Sequence, residues 1–266
     1  MPWFTSEGVN MHVDVSGTGA PLLLLHEVTL DHRQWTPQSE VLRGTYRVFR
    51  LDWRGHGKSA SSPSGHGWTG FAADAQRALV QVGMDRQHPG TVIAHGYACD
   101  AALQLARREP RAVRALVLVA PAIWGATFGD EWNALLAAMR AAAQADDLAR
   151  ALELLRADVA FAGVRADADL ERSVRTMQER FSGDWLRTPS ADTGLPTAAQ
   201  LDECKVPILV LSGSRDRGDF GSTAALVAAR APQARLQQLT GAAHFPNLER
   251  PEAFNRVLLD FLATLA

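Results

Sequence analysis

Cysteine is nearly absent from this chain, with Cys99 and Cys204 the only two among 266 residues. Two thiols without metal-ligand spacing exclude a disulfide-dense secreted scaffold and point to reduced cysteines in a cytoplasm. Long hydrophobic runs are missing too: no stretch approaches the roughly 20 apolar residues of a membrane span. The opening "MPWFTSEGVN" has neither the basic nor the apolar region of a secretory leader, so an unexported, cytoplasmic protein with no membrane partner is expected. Neither sign of charge dominates, since 27 Lys and Arg face 29 Asp and Glu without a long run of either. That leaves no electrostatic footprint for nucleic acid and suits a small, roughly neutral molecule as partner. No glycine-rich phosphate loop or ligand cluster stands out, so neither an organic cofactor nor a metal is expected.

What the chain has is apolar material, 47% of its residues, enough for one sizeable core. "GVNMHVDVSG" alternates as a strand does, and "PLLLLH" is a short apolar run of the kind buried in a parallel sheet. "YRVFRLD", "GTVIAH", "RALVLVAP", "VPILVLSG" and "ARLQQLTG" repeat the pattern, with helical stretches such as "WTGFAADAQRALVQVG" and "ACDAALQLARREP" between them. Strands alternating with helices predict an α/β fold with a mostly parallel sheet covered on both faces. From about residue 123 to 196 the rhythm breaks into Ala-, Arg- and Asp-rich helical sequence, and "TPSADTGLP" marks the return to the sheet. The expected organisation is a core of residues 1–122 and 197–266 with a helical insertion over 123–196.

In such sheets chemistry gathers where strands end. After "VIA" comes His95-Gly96-Tyr97-Ala98 leading into a helix, the small-x-nucleophile-x-small outline of a nucleophile elbow. After "ILVL" comes Gly213-Ser214-Arg215-Asp216, and after the last strand "GAAHFPNLERP" with His244. Together with "LLLLHE", "RQW" and "LDWRGHGKS", in that order over nearly the whole core, these stretches resemble the α/β-hydrolase fold, closest to its small enol-lactone hydrolases and esterases. The resemblance implies Asp216 as the acid, His244 as the base, the amides of Val28 and Tyr97 as the oxyanion hole, and the insertion as a cap over the site. His26, His56 and His95 are expected to shape turns. Arg54 and Lys58 read as solvated charge, and Cys99 as a buried, inert thiol. Trp53, Trp124 and Trp185 are candidates to line an apolar substrate pocket, with core packing the alternative.

Two residues depart from the family pattern. Gly96 stands where the family places serine, so acyl transfer through a side chain at this position is closed. Glu27 stands where the usual His-Gly pair has glycine. A carboxylate about 4 Å from a developing oxyanion would cost on the order of 4 kcal/mol at an effective dielectric near 20, roughly a thousandfold in rate. Glu27 therefore turns away into a structural hydrogen bond, or takes part as acid or base. The leading expectation is an enzyme without a serine nucleophile: the missing hydroxymethyl leaves an empty notch for water or substrate beside His244, which, held by Asp216, acts as general base with Glu27 as acid or second carboxylate in converting a small ester, lactone or similar carbonyl compound. Hydrolysis, elimination, isomerisation and cyclisation all remain open. The alternatives are an ordinary serine esterase with an engineered glycine at 96, and a non-catalytic ligand binder.

Overall fold

A computed structural model describes residues 2–62, 67–187 and 194–265. Eight strands form one sheet: β1 (Trp3–Ser6), β2 (Val9–Ser16), β3 (Ala20–Leu25), β4 (Tyr46–Leu51), β5 (Gly90–His95), β6 (Val113–Val119), β7 (Ile208–Gly213) and β8 (Ala234–Leu239). Their spatial order is β1-β2-β4-β3-β5-β6-β7-β8. Pairing is parallel from β4 to β8 and antiparallel for β1 with β2 and β2 with β4. The α/β fold class and the seven strands read from the sequence hold. β1 was not anticipated, because four residues are too few to show a period against their surroundings.

The apolar strands alternate strictly between two cores. Leu23, Leu25, Val92, Ala94, Leu116 and Leu118 face one side, packed with Phe71 and Leu105. Leu22, Leu24, Ile93, Val117, Leu209 and Leu211 face the other, packed with Trp35, Leu42 and Phe254. A side-chain period of two on strands buried on both faces requires a helical layer on each side. Helices α2 (Trp68–Gln81) and α3 (Ala98–Arg108) follow α1 (Thr36–Leu42) in the chain; α1 supplies Leu42 to one face, while α2 and α3 supply Phe71 and Leu105 to the other.

Between β6 and β7 the described residues contain no strand. They form α4 (Asp130–Gln144), α5 (Leu148–Ala157), α6 (Ala162–Arg165), α7 (Ala168–Gln178) and α8 (Asp184–Arg187). The turn-rich return at 188–196 lies largely outside the described residues. Helix α9 (Gly218–Arg230) precedes β8, and α10 (Pro246–Glu249) and α11 (Pro251–Ala263) close the chain. Among the described residues no helix is long and apolar enough to cross a membrane.

One sequence expectation fails in the loop after β4. Arg54 is not solvated but buried, its guanidinium forked onto Asp74 at 2.7 and 2.5 Å; a bidentate partner that also takes the Ser6 hydroxyl at 2.6 Å makes its burial tolerable. Lys58 is exposed. The same loop turns on Asp52, whose carboxylate accepts the amides of His32 (2.8 Å) and Lys58 (3.1 Å) and the Nδ1–H groups of His12 (2.9 Å) and His32 (2.8 Å). Burial alone would raise its pKa, but the two imidazoles outweigh burial and hold the carboxyl well below its usual range.

Truncating this hub leaves four donors without their acceptor, three of them on the buried His12 and His32. Asp52→Ala is expected to cost about 3 kcal/mol or more in urea unfolding. A depressed carboxylate stabilises the fold above its unfolded pKa of 3.8 and loses that contribution as pH falls toward the folded value. The gap between wild type and variant should therefore narrow in acid, and a gap that stays constant to pH 2 would contradict the charge assignment.

Candidate active site

The register of two neighbouring strands builds the centre of the site. β3 and β5 run parallel with Leu25 opposite Ala94, so two residues beyond the pairing Glu27 comes level with Gly96. This is the point where the sheet order reverses, β4 lying on one side of β3 and β5 on the other, and a crevice opens there by topology. Gly96 turns the strand into α3 at φ +54°, its amide donating to the Val119 carbonyl at 2.9 Å. That left-handed geometry is costly for a residue with a Cβ.

From the ends of β7 and β8 come Asp216 and His244. The Asp216 carboxylate accepts from His244 Nδ1 at 3.1 and 3.2 Å, which leaves Nε2 pointing at Glu27 Oε2, 3.5 Å away. Asp219, the other acid of that loop, instead accepts the Gly129 amide and pairs with Arg217.

The notch at the elbow is not empty, which corrects the sequence expectation. A Cβ built on Gly96 would land on Glu27 Oε2. The carboxylate has moved into the space that a side chain at 96 would use, because β3 ends beside β5 in the register that aims it there. Its Oε1 accepts the Val28 amide at 2.7 Å, and the Tyr97 amide also favours its charged form. The two amides expected to hold an oxyanion thus hold a resident carboxylate. Oε2 is buried and has no hydrogen-bond partner among the described residues.

A relay of neutral groups fixes this arrangement. The Glu27 amide donates to Gln34 Oε1 at 2.8 Å, Gln34 Nε2 donates to His95 Nδ1 at 2.8 Å, and His95 Nε2–H donates to the His244 carbonyl at 2.8 Å. A carbonyl can only accept, so His95 carries its proton on Nε2 and offers Nδ1 as acceptor. Burial, the charge of His244 added to it, drives the His95 pKa well below its usual value, consistent with a neutral ring. His26 and His56 follow the same logic: Nδ1 donates to the carbonyls of Glu27 and Arg54, while Nε2 accepts the amides of Trp53 and Thr29. Sequence reasoning missed Gln34, although it lies in the "RQW" stretch; no local signal tells that its amide bridges two motifs.

The two triads of possible metal ligands among the described residues are Glu27, His95 and His244, and His12, His32 and Asp52. In the first, both nitrogens of His95 are committed, and in the second each Nδ1–H is donated to Asp52. Hydrogen bonding accounts for both.

His244 faces a carboxylate on each side. Burial by itself would lower its pKa, but Asp216 reverses this and Glu27 adds to it, so the ring is pushed up to about 10. Burial raises the Glu27 pKa, opposed by His244 and by the amides of Val28 and Tyr97. The rise at His244 favours the protonated ring, with the Asp216 and Glu27 carboxyl groups on either side of it.

Glu27 and His244 open into a cavity walled almost wholly by carbon, including Trp132, Leu136, Phe161, Trp185 and Phe220. Phe220 packs on the imidazole with centroids 4.3 Å apart. Trp185 lies in this wall, whereas Trp124 lines a second cavity beside it. Trp53 is fully buried in the core, its Nε1 bonded to the His26 carbonyl at 2.9 Å. Cys99 is buried with its thiol donating to the Ala94 carbonyl at 3.3 Å, and burial pushes its pKa well above the usual value. Trp132, Phe161 and Phe220 were not singled out from sequence, since aromatics in helices do not announce which face they present.

With the strand-end geometry in place, a comparison with known proteins is decisive: a model of the alpha/beta hydrolase family matches residues 15–257. The chain belongs to the alpha/beta hydrolase family. Within the family it is 24% identical, over 98% of both chains, to a putative carbamate hydrolase RutD of Azorhizobium caulinodans. It is 27% identical, over 94% of this chain and 96% of the relative, to a pimeloyl-[acyl-carrier protein] methyl ester esterase of Yersinia enterocolitica. The enol-lactonase of Burkholderia xenovorans LB400 superimposes with a TM-score of 0.78 at 23% identity, over 98% of this chain and 100% of that one. That likeness speaks for the fold.

In this alpha/beta hydrolase Gly96 and Glu27 are coupled by packing, because glycine at 96 makes the room that Glu27 fills. Gly96→Ser alone is expected to destabilise by about 1–3 kcal/mol through overpacking and left-handed strain. Adding Glu27→Gly should recover much of the loss. Thermal denaturation of the two single variants and the double variant measures the coupling, and additivity within error would mean the two positions do not compete for space.

Proposed function

We propose that this chain is an enzyme that converts a small carbonyl compound, an ester or lactone foremost, by general acid–base chemistry at Glu27, His244 and Asp216 without a serine nucleophile. One observation carries the reading: Glu27 Oε2, with no hydrogen-bond partner, and His244 Nε2 face the same apolar cavity 3.5 Å apart. Two titratable groups facing one water-poor cavity within reach of the same substrate atoms are the working parts of such chemistry. The relatives named as an esterase and a carbamate hydrolase support the substrate class.

In the hydrolytic form, Glu27 Oε2 removes a proton from water as the water oxygen bonds to the carbonyl carbon. Negative charge then grows on the carbonyl oxygen beside the His244 imidazolium, which balances it in place of the occupied amides. Nε2–H passes its proton to the leaving oxygen as the carbon–oxygen bond breaks. The proton on Glu27 returns to His244 and restores the ion pair, while Asp216 holds the ring throughout. In the same pocket Glu27 could take a proton from a carbon next to the carbonyl, giving elimination or isomerisation instead.

The engineered-esterase alternative is weakened by the same geometry, since a serine at 96 would compete with Glu27 for one space. A non-catalytic receptor is the second reading, favoured by amides already satisfied by Glu27.

Wild type should hydrolyse at least one of p-nitrophenyl acetate, γ-butyrolactone and dihydrocoumarin above the buffer rate. His244→Ala and Glu27→Gln should each lower kcat/KM about 100- to 10,000-fold. Because the acid is an imidazolium with a pKa of about 10, activity should persist through neutral pH and fall as pH rises past that value. Rates unchanged in both variants reject the mechanism, and ligand binding without turnover favours the receptor.

A further inference from the structure

We infer that Arg140 is the anchor for an anionic group on the substrate, so that the natural ligand is a small carbonyl compound carrying a carboxylate at the end remote from the reacting centre. This deepens the proposed function and rests on its assignment of the Glu27–His244 pair as that centre.

Arg140 is half-buried on α4. Several arginines of the helical segment are ion-paired, Arg150 with Glu153, Arg175 with Glu171 and Arg187 with Asp146, and Arg156 and Arg165 are hydrogen-bonded to Gln178 and to the Asp158 carbonyl. Arg140 makes no ion pair among the described residues, and its Nε is buried without a hydrogen-bond partner. Its guanidinium carbon lies 6.0 Å from the Trp185 ring centroid, the outer limit of a useful cation–π contact. A guanidinium partly withdrawn from water with only a distant ring for company is under-satisfied.

Its surroundings specify what would satisfy it. Arg140 lines the second cavity, of about 250 Å³, together with Trp68, Trp124 and Asn133, and no Asp or Glu lines that cavity among the described residues. At about 30 Å³ per water, the volume suits a compact organic acid. Tyr97, Trp132, Leu136 and Trp185 belong to the walls of both cavities, so the two adjoin along these side chains, with Arg140 lining one and the Glu27–His244 pair the other.

Charge then dictates orientation. A carboxylate is repelled by Glu27 and matched by the planar fork of Arg140, which can bind it bidentately. The unsaturated or aliphatic body of the ligand packs on Tyr97, Trp132 and Trp185, and its carbonyl meets His244. The overall charge balance suggested a roughly neutral partner; the lining makes the end near Arg140 negative, because a ligand responds to the local field rather than the net charge.

The test compares phenylacetate with phenylacetamide, its neutral isostere, by tryptophan-emission quenching and thermal shift. The proteins are wild type, Arg140→Lys, Arg140→Gln and His244→Ala. Phenylacetate should bind wild type about tenfold or more tightly than the amide, the yield of a charge-assisted pair. Arg140→Gln should abolish the preference, Arg140→Lys should retain part of it, and His244→Ala should retain it fully. Equal binding of acid and amide, a preference that survives Arg140→Gln, or no binding of phenylacetate overturns the inference. Since binding is read without turnover, such a failure leaves the Glu27–His244 reading standing, and loss of that reading on kinetic grounds leaves the anchor measurable.

Discussion

The site is organised by a steric exchange between two residues that lie 69 positions apart in the chain. Gly96 has no Cβ, and Glu27 Oε2 occupies the volume a Cβ would claim. Either residue without the other is hard to place in this fold. A glutamate at 27 with a side chain at 96 would have to swing out of the crevice, and a glycine at 96 with glycine at 27 would leave a void beside a charged imidazole. Together they fill the space and keep the backbone of the elbow, whose φ of +54° belongs to the turn and which glycine adopts readily.

Electrostatics follows from that exchange. A buried carboxylate is costly unless it is paired and hydrogen-bonded, and Glu27 has both supports: the Val28 amide at 2.7 Å on one oxygen and the His244 imidazolium 3.5 Å from the other. The imidazolium in turn persists because Asp216 sits on its far side. The remaining histidines nearby contribute by staying neutral. His26, His56 and His95 each spend one nitrogen donating to a carbonyl and the other accepting from an N–H group. Protonating any of them would turn an acceptor into a donor facing a donor.

Much of the frame was legible in sequence because it depends on short-range patterns. Apolar runs of about six residues, separated by helical periods, gave seven of the eight strands and the alternation that buries both faces of β5. The convergence of His244 with Asp216 was also readable, as both stand at strand ends in a known chain order. What could not be read was the outcome of long-range register. Whether Glu27 turns toward Gly96 or away depends on Leu25 pairing with Ala94, and no local pattern encodes that. Arg54 was misjudged for the same reason: its partner Asp74 lies on α2, and a charge looks solvated until its counter-charge is located in space.

The distinction between frame and site limits how far kinship carries chemistry. Membership of the family rests on a match spanning residues 15–257, and what that match carries is the frame of strands and helices. In an esterase the amides of the crevice wait for charge that develops on the substrate; here they already serve a carboxylate of the protein. Across from Glu27 the cavity meets His244, whose pKa is raised by Asp216 first and by Glu27 after it. The exchange at positions 27 and 96 therefore sets a titratable carboxyl group, and an imidazole 3.5 Å from it, beside amides that do not titrate.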